Sequence, residues 1–250
     1  MTNQKPIQFI KLLHEICLNL KIPLNNWLDI GCGNGKLVYL LNQKGFSTLG
    51  IDVEFKEGEY ISELLSNNKV KQIKSPDNCR SSVINNDSFY KWPIEDNSIN
   101  FAFSSSVLEH VINPLKFIEE NNRILKVGGF TLHYLPSKFA LIEPHVGVPL
   151  GGFFQNKKYY KFICSLGFCF KRYKNNGDEA FKYVHQATNY FNKKELINLF
   201  VRNGFYYIGE FSSYIPKYLG PNLSKWISNI PFLIYLFSIF RSHIICFKKV

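Results

Sequence analysis

Six cysteines are present, yet none forms a C-x-x-C pair and their spacing is irregular, which excludes a disulfide framework and a cysteine-based zinc site. No metal ligand set is expected. Nor is there an uninterrupted apolar run of the roughly 20 residues that a membrane helix needs. The most apolar tract, Trp226 to Phe240, contains Pro231 and is followed by Arg241 and His243. The N-terminus lacks the charged region, apolar run and cleavage site of a signal peptide, so a cytoplasmic location is expected. Acidic residues are scarce, 19 against 30 lysines and arginines, giving a formal charge of +11. Clustered, that surplus would suit nucleic acid. It is instead scattered along a chain rich in asparagine, isoleucine, phenylalanine and tyrosine, so nucleic acid is not the expected partner.

The 250 residues suffice for one sizeable domain, 1–250, able to bury its own core. The most informative stretch is Leu28-Asp29-Ile30-Gly31-Cys32-Gly33-Asn34-Gly35, the end of an apolar strand followed by a turn with almost no side chains. Glycine tolerates positive φ and carries no Cβ, so glycines at alternate positions mark close approach of the backbone to a ligand. Lys36 to Leu41 has helical apolar spacing, so a helix should follow with its N-terminal amides toward the same pocket. A phosphate loop would need Ser or Thr after Gly35-Lys36, where Leu37 stands. A G-x-G-x-x-G dinucleotide loop would need glycine at position 36.

Ser47 to Asp52 reads as a second strand ending in a carboxylate about 20 residues beyond the loop, where doubly wound folds grip ribose hydroxyls. Ser82 to Asp87 reads as a third strand ending in an acid. Asp96 to Val111 reads as a fourth strand with the loop after it, Pro114 to Lys126 as a helix, and Gly128-Gly129 as the turn into a strand Phe130–Leu135 that closes at Pro136.

From Trp27 to Pro136 this pattern resembles the class I S-adenosylmethionine-dependent methyltransferases, whose loop is G-x-G-x-G after an acid. Asn100 departs from a common aspartate there, and Val127 from a common proline. The resemblance implies an α/β, doubly wound, Rossmann-like fold: a seven-stranded, mostly parallel sheet whose last strand, His243–Lys248, enters antiparallel at the edge. It implies S-adenosyl-L-methionine as cofactor, held by Asp29, Gly31, Cys32, Gly33, Gly35, Asp52, Val53, Asp87, Ser88, Phe89, Ser104 and Ser105. Asp87 would accept from the adenine amino group. Cys32 is a small filler rather than a nucleophile. Ser104-Ser105-Ser106-Val107 lacks the Asn-Pro-Pro-aromatic sequence of enzymes that methylate base amines.

After Pro136 the next core helix, Asn192–Phe200, and strand, Phe205–Ile208, come late. Residues 137–190 are therefore a cap inserted after the fifth strand, where loops at strand carboxyl ends line a ligand crevice. Within it Glu143-Pro144-His145 resembles methyltransferases of bacterial sugar and polysaccharide biosynthesis. Methyl transfer to a hydroxyl needs positioning and a base. His145 is the first candidate base, and His110 the second with Glu109 as its orienter. Residues 211–241 form an apolar helical insertion before the last strand, whose tract 226–240 packs on the domain or dips into a membrane surface near Lys217 and Lys225. The expected function is O-methylation of a small or glycan-linked acceptor. The alternatives are a membrane-associated enzyme acting on a lipid or quinone precursor, and a cofactor-binding module without turnover.

Overall fold

The computed structural model describes residues 4–73, 91–111, 113–214 and 231–250. Seven strands form one sheet: β1 (Trp27–Ile30), β2 (Thr48–Asp52), β3 (Val70–Gln72), β4 (Ile99–Ser105), β5 (Leu125–Pro136), β6 (Phe205–Glu210) and β7 (Ser242–Lys249). Their order is β3-β2-β1-β4-β5-β7-β6. The pairs from β3 through β5 are parallel, and β7 runs antiparallel to both β5 and β6. The chain leaves β1 in one direction toward β2 and β3, then returns to β1's other side as β4. The crevice outside the carboxyl ends of β1 and β4 is thus the switch point at which open α/β sheets bind ligands.

Alternation along the strands sends side chains to two cores. Trp27, Phe101 and Phe103 face one side, where they meet Ile10, Leu13 and Ile16 of helix α1 (Gln4–Asn19) and Leu41 of α2 (Lys36–Gln43). Leu28, Ile30, Ala102 and Phe247 face the other. There they meet Phe117 and Ile118 of α4 (Pro114–Ile124) and Leu196 and Phe200 of α7 (Lys193–Arg202). Each large side chain so buried contributes about 1.5–3 kcal/mol. A third helix, α3 (Glu59–Ser66), packs Ile61 and Leu64 beneath the turn after β1. Helices α4 and α7 start where the sequence supplies asparagine caps: Asn113 accepts from the Lys116 amide ahead of Pro114, and Asn192 from the Lys194 amide.

Three expectations need correction. The third strand of the sheet is Val70–Gln72, while the expected strand at 82–87 lies outside the described residues, as do Asp87, Ser88 and Phe89. The last strand is one in from the edge, and β6 is the edge. Strand β5 begins at Leu125, so Gly128-Gly129 lies inside it rather than before it. Part of the apolar tract is helical, as α8 (Pro231–Phe240), with proline at its first turn.

Residues 137–190 contain α5 (Lys157–Ser165) and α6 (Gly177–Ala187), which bury Val146, Val148, Tyr160, Cys164 and Val184 in a small core of their own. The lysines and aromatic residues of this region divide between core and surface. Tyr160 and Tyr173 are buried, Phe162 and Phe168 are exposed, and Lys157 and Lys161 pair with Asp178. No described helix is long and apolar enough to cross a membrane.

Candidate functional site

The turn after β1 carries three left-handed glycines, Gly31 at φ 77°, Gly33 at φ 57° and Gly35 at φ 74°. Gly31 and Cys32 donate to the Ile51 carbonyl, at 2.8 and 3.1 Å, which ties the turn to β2. Gly33 donates its amide to Oδ2 of Asp52 at 2.6 Å. A Cβ on Gly31 would lie 2.3 Å from Cγ2 of Val107, whereas one on Gly33 would meet nothing within 4 Å. Gly31 therefore serves packing, and Gly33 opens onto space that a ligand can enter.

Asp29 is buried at the end of β1, and burial together with the nearby Asp52 charge pushes its carboxyl up to about 8. Burial, with the charges of Asp29 and Asp52, raises the Cys32 thiol well above its ordinary range, so it is an inert filler. Asp52 also accepts from the Glu54 amide at 3.3 Å, and Val53 beside it is exposed. Ser105 is exposed, whereas Ser104 is buried. Its fully buried hydroxyl lies 2.8 Å from Nδ1 of His133, whose Nε2 is 3.0 Å from the Thr131 hydroxyl. Thr131 donates onward to Asn121, so it accepts from His133 Nε2–H, and Ser104 donates to Nδ1. Burial lowers His133 to about 3 and keeps it neutral in this closed network.

Beside the turn is a cavity of about 940 Å³, lined among others by Ser106, Glu109, Tyr134, His145, Leu236 and Arg241. Val107, which abuts Gly31, directly follows Ser106, so turn and cavity share a wall. Ser106 itself is held at φ 56°, a backbone conformation costly for a residue with a Cβ and typical of functional walls.

Two predicted groups, Glu109 and His145, line this cavity, and a third, His110, packs against His145. His145 directs Nδ1 to Oε1 of Glu143 at 2.6 Å, and His110 directs Nδ1 to the Ala187 carbonyl at 2.7 Å. Both oxygens accept, so both Nδ1 atoms carry the proton and both Nε2 atoms present lone pairs. These Nε2 atoms stand 3.2 Å apart. Glu109 lies beside them, 1% exposed, and neither carboxylate oxygen has a hydrogen-bond partner. Burial pushes it up to about 7. The expectation that Glu109 orients His110 is therefore corrected: the Ala187 carbonyl does so, while the Glu109 carboxylate makes no hydrogen bond.

Glu143 is the orienter that sequence reasoning left without a role. It is fully buried, accepts from the amides of His145 at 2.9 Å and Val146 at 2.6 Å, and accepts from the Tyr190 hydroxyl. Burial and the Glu143 charge raise the Tyr190 hydroxyl far above its ordinary range, fixing it as a donor. Asn189 clamps the same corner, donating its amide to the Glu109 carbonyl at 2.6 Å and its side chain to the Val111 carbonyl at 2.6 Å.

A family model described as a methyltransferase domain matches residues 28–132, the span that holds the glycine turn, Asp52, Glu109 and His110. By this match residues 28–132 are similar to a methyltransferase domain. Over 112 residues, 41% of its length, the chain is 30% identical to an uncharacterised methyltransferase of Schizosaccharomyces pombe. Over 133 residues, 52% of its length, it is 29% identical to a sterol 4-C-methyltransferase of Caenorhabditis elegans. Each match spans 37% of the relative's own length. Among solved structures, a sarcosine dimethylglycine methyltransferase from Galdieria sulphuraria, itself assigned by similarity, shares the fold. Its TM-score is 0.53 at 16% identity, covering 96% of this chain and 84% of that one. Glu143, His145 and Tyr190 lie outside the matched span.

Proposed function

We propose that the chain is an S-adenosylmethionine-dependent methyltransferase that methylates a hydroxyl oxygen on a small or glycan-linked acceptor. The cofactor fits the turn after β1: Gly33 leaves open space, and Asp52 retains acceptor capacity for ribose hydroxyls beyond its two amide contacts. Gly31, Gly35, Asp29, Val53 and Ser105 complete the cradle from this side. S-adenosylmethionine supplies a methyl group activated on a sulfonium and leaves as the neutral thioether.

One observation carries the acceptor reading: His145 lines the cavity with its Nε2 lone pair set by Glu143 at Nδ1, and His110, set by the Ala187 carbonyl at Nδ1, brings its own Nε2 within 3.2 Å. A hydroxyl delivered there loses its proton to His145 Nε2, and the second imidazole shares it across 3.2 Å. Glu143 stabilises the resulting imidazolium through Nδ1, as a buried carboxylate does for a catalytic histidine. The remaining wall positions the acceptor, with Arg241 and Tyr134 offering polar contacts.

A second reading, a lipid or quinone-precursor acceptor at a membrane surface, is favoured by α8. Leu236 and Phe240 line the cavity while Phe232 and Tyr235 are exposed. The C. elegans relative, named for a sterol substrate and for carbon methylation, bears on the same choice. Incubation with methyl-labelled S-adenosylmethionine and separate pools of glycans, small hydroxyl compounds and lipids tests both. Label recovered as O–CH₃ by NMR in a non-lipid pool supports the first reading. Label in lipid supports the second, and label only as C–CH₃ overturns oxygen methylation.

A further inference from the structure

We propose that Glu109, His110 and His145 bind a divalent transition-metal cation, zinc by the chemistry of the set. Two imidazole nitrogens and one carboxylate match zinc sites that keep a fourth position open, whereas magnesium and calcium prefer all-oxygen sets. The donor atoms of the three residues all lie within 4.8 Å of one another. With Zn–N bonds near 2.0–2.1 Å, two imidazoles on a tetrahedral zinc place their nitrogens about 3.3 Å apart. The two Nε2 atoms are 3.2 Å apart.

The surroundings are those of metal-binding histidines. Each ligand imidazole donates its other ring N–H to an oxygen, His145 to the Glu143 carboxylate and His110 to the Ala187 carbonyl. Glu109 supplies the independent observation. Its carboxylate is buried, and both oxygens lack a hydrogen-bond partner, a costly arrangement that a bound cation would relieve. With no hydrogen bond holding the carboxylate elsewhere, a modest side-chain rotation brings one oxygen into the first coordination sphere. Glu109 and His145 both line the cavity, so the open position faces it. That position would receive the acceptor oxygen, a consequence that rests on the methyl-transfer reading, and a bound cation, in place of His145 Nε2, would then lower the pKa of the acceptor hydroxyl; cation binding itself does not rest on that reading.

The test is calorimetric titration of zinc into untagged, chelator-treated full chain without cofactor, with His145→Ala, His110→Ala and Glu109→Gln in parallel. The expected result is one equivalent bound, weakened at least tenfold by each histidine substitution. In case a variant misfolds, visible absorption of the wild-type protein loaded with cobalt gives the second measurement. Intense d–d bands of four- or five-coordinate geometry are expected. Absence of stoichiometric binding, binding indifferent to all three substitutions, or a weak octahedral cobalt spectrum would each overturn the site. Methyl transfer without any bound cation would leave the enzymatic reading standing and remove only this one.

Discussion

The Gly33 amide and Oδ2 of Asp52 are joined by a 2.6 Å hydrogen bond that fastens the glycine turn after β1 to the end of β2. One carboxylate thus fixes the turn and keeps lone pairs for a ligand. Asp52→Ala removes both functions, and charge-assisted hydrogen bonds are worth roughly 1.5–3 kcal/mol each. Affinity for S-adenosylmethionine should fall by about tenfold to a hundredfold in calorimetry. Unchanged affinity would remove Asp52 from the cofactor site.

Two neighbouring glycines should respond differently to the same substitution. Gly31→Ala combines a left-handed φ with a Cβ 2.3 Å from Val107, so the melting temperature should drop clearly. Gly33→Ala meets open space and should cost only the left-handed penalty, about 1–2 kcal/mol. Its main effect should be on cofactor affinity, because the new methyl fills the ligand's space. Equal effects on melting and on binding at the two positions would contradict this division.

Asp29 predicts a pH dependence. In the fold it keeps its proton up to about pH 8, whereas an unfolded aspartate loses it near pH 4. Between these values the unfolded state binds fewer protons, so the wild type loses stability as pH rises across that window. Asp29→Asn cannot ionise and should gain on the wild type from pH 5 to pH 8, by on the order of a few kcal/mol, with the gap levelling off above. Urea denaturation at pH 5, 7 and 9 checks it, and a gap that does not change with pH would refute the assignment.

The cofactor half of the molecule was legible because its signals are local: alternate glycines after an apolar strand, and an acid closing the second strand. β3 escaped because three residues, Val70–Gln72, are too few to display a period. The place of β7 between β5 and β6 is a matter of strand order, which no local pattern records. In the acceptor half, His145 and His110 stood out as residue types, but their orienters did not. Tyr190 reaches Glu143 from 47 residues away, and the partner of His110 is a backbone carbonyl, which has no residue signature. The partner of the Ser104 hydroxyl, His133, was illegible for a related reason: it lies 29 residues away on the neighbouring strand.

Glu143→Gln tests the orienting carboxylate. Its two oxygens accept from four donors, and an amide NH₂ at one position would face donors instead of accepting. Turnover should fall about tenfold to a hundredfold, the range for groups that orient a working histidine. Affinity for S-adenosylmethionine should hold, since Glu143 lies outside the matched domain. A loss of cofactor affinity as large as the loss of turnover would show a structural role instead.

The most direct test of the central claim is calorimetric titration of the wild-type chain with S-adenosyl-L-methionine. Saturable binding of one equivalent, competed by the demethylated product and weakened in Asp52→Ala, is the predicted result. A folded protein that shows no binding, or binding indifferent to Asp52, would contradict the account.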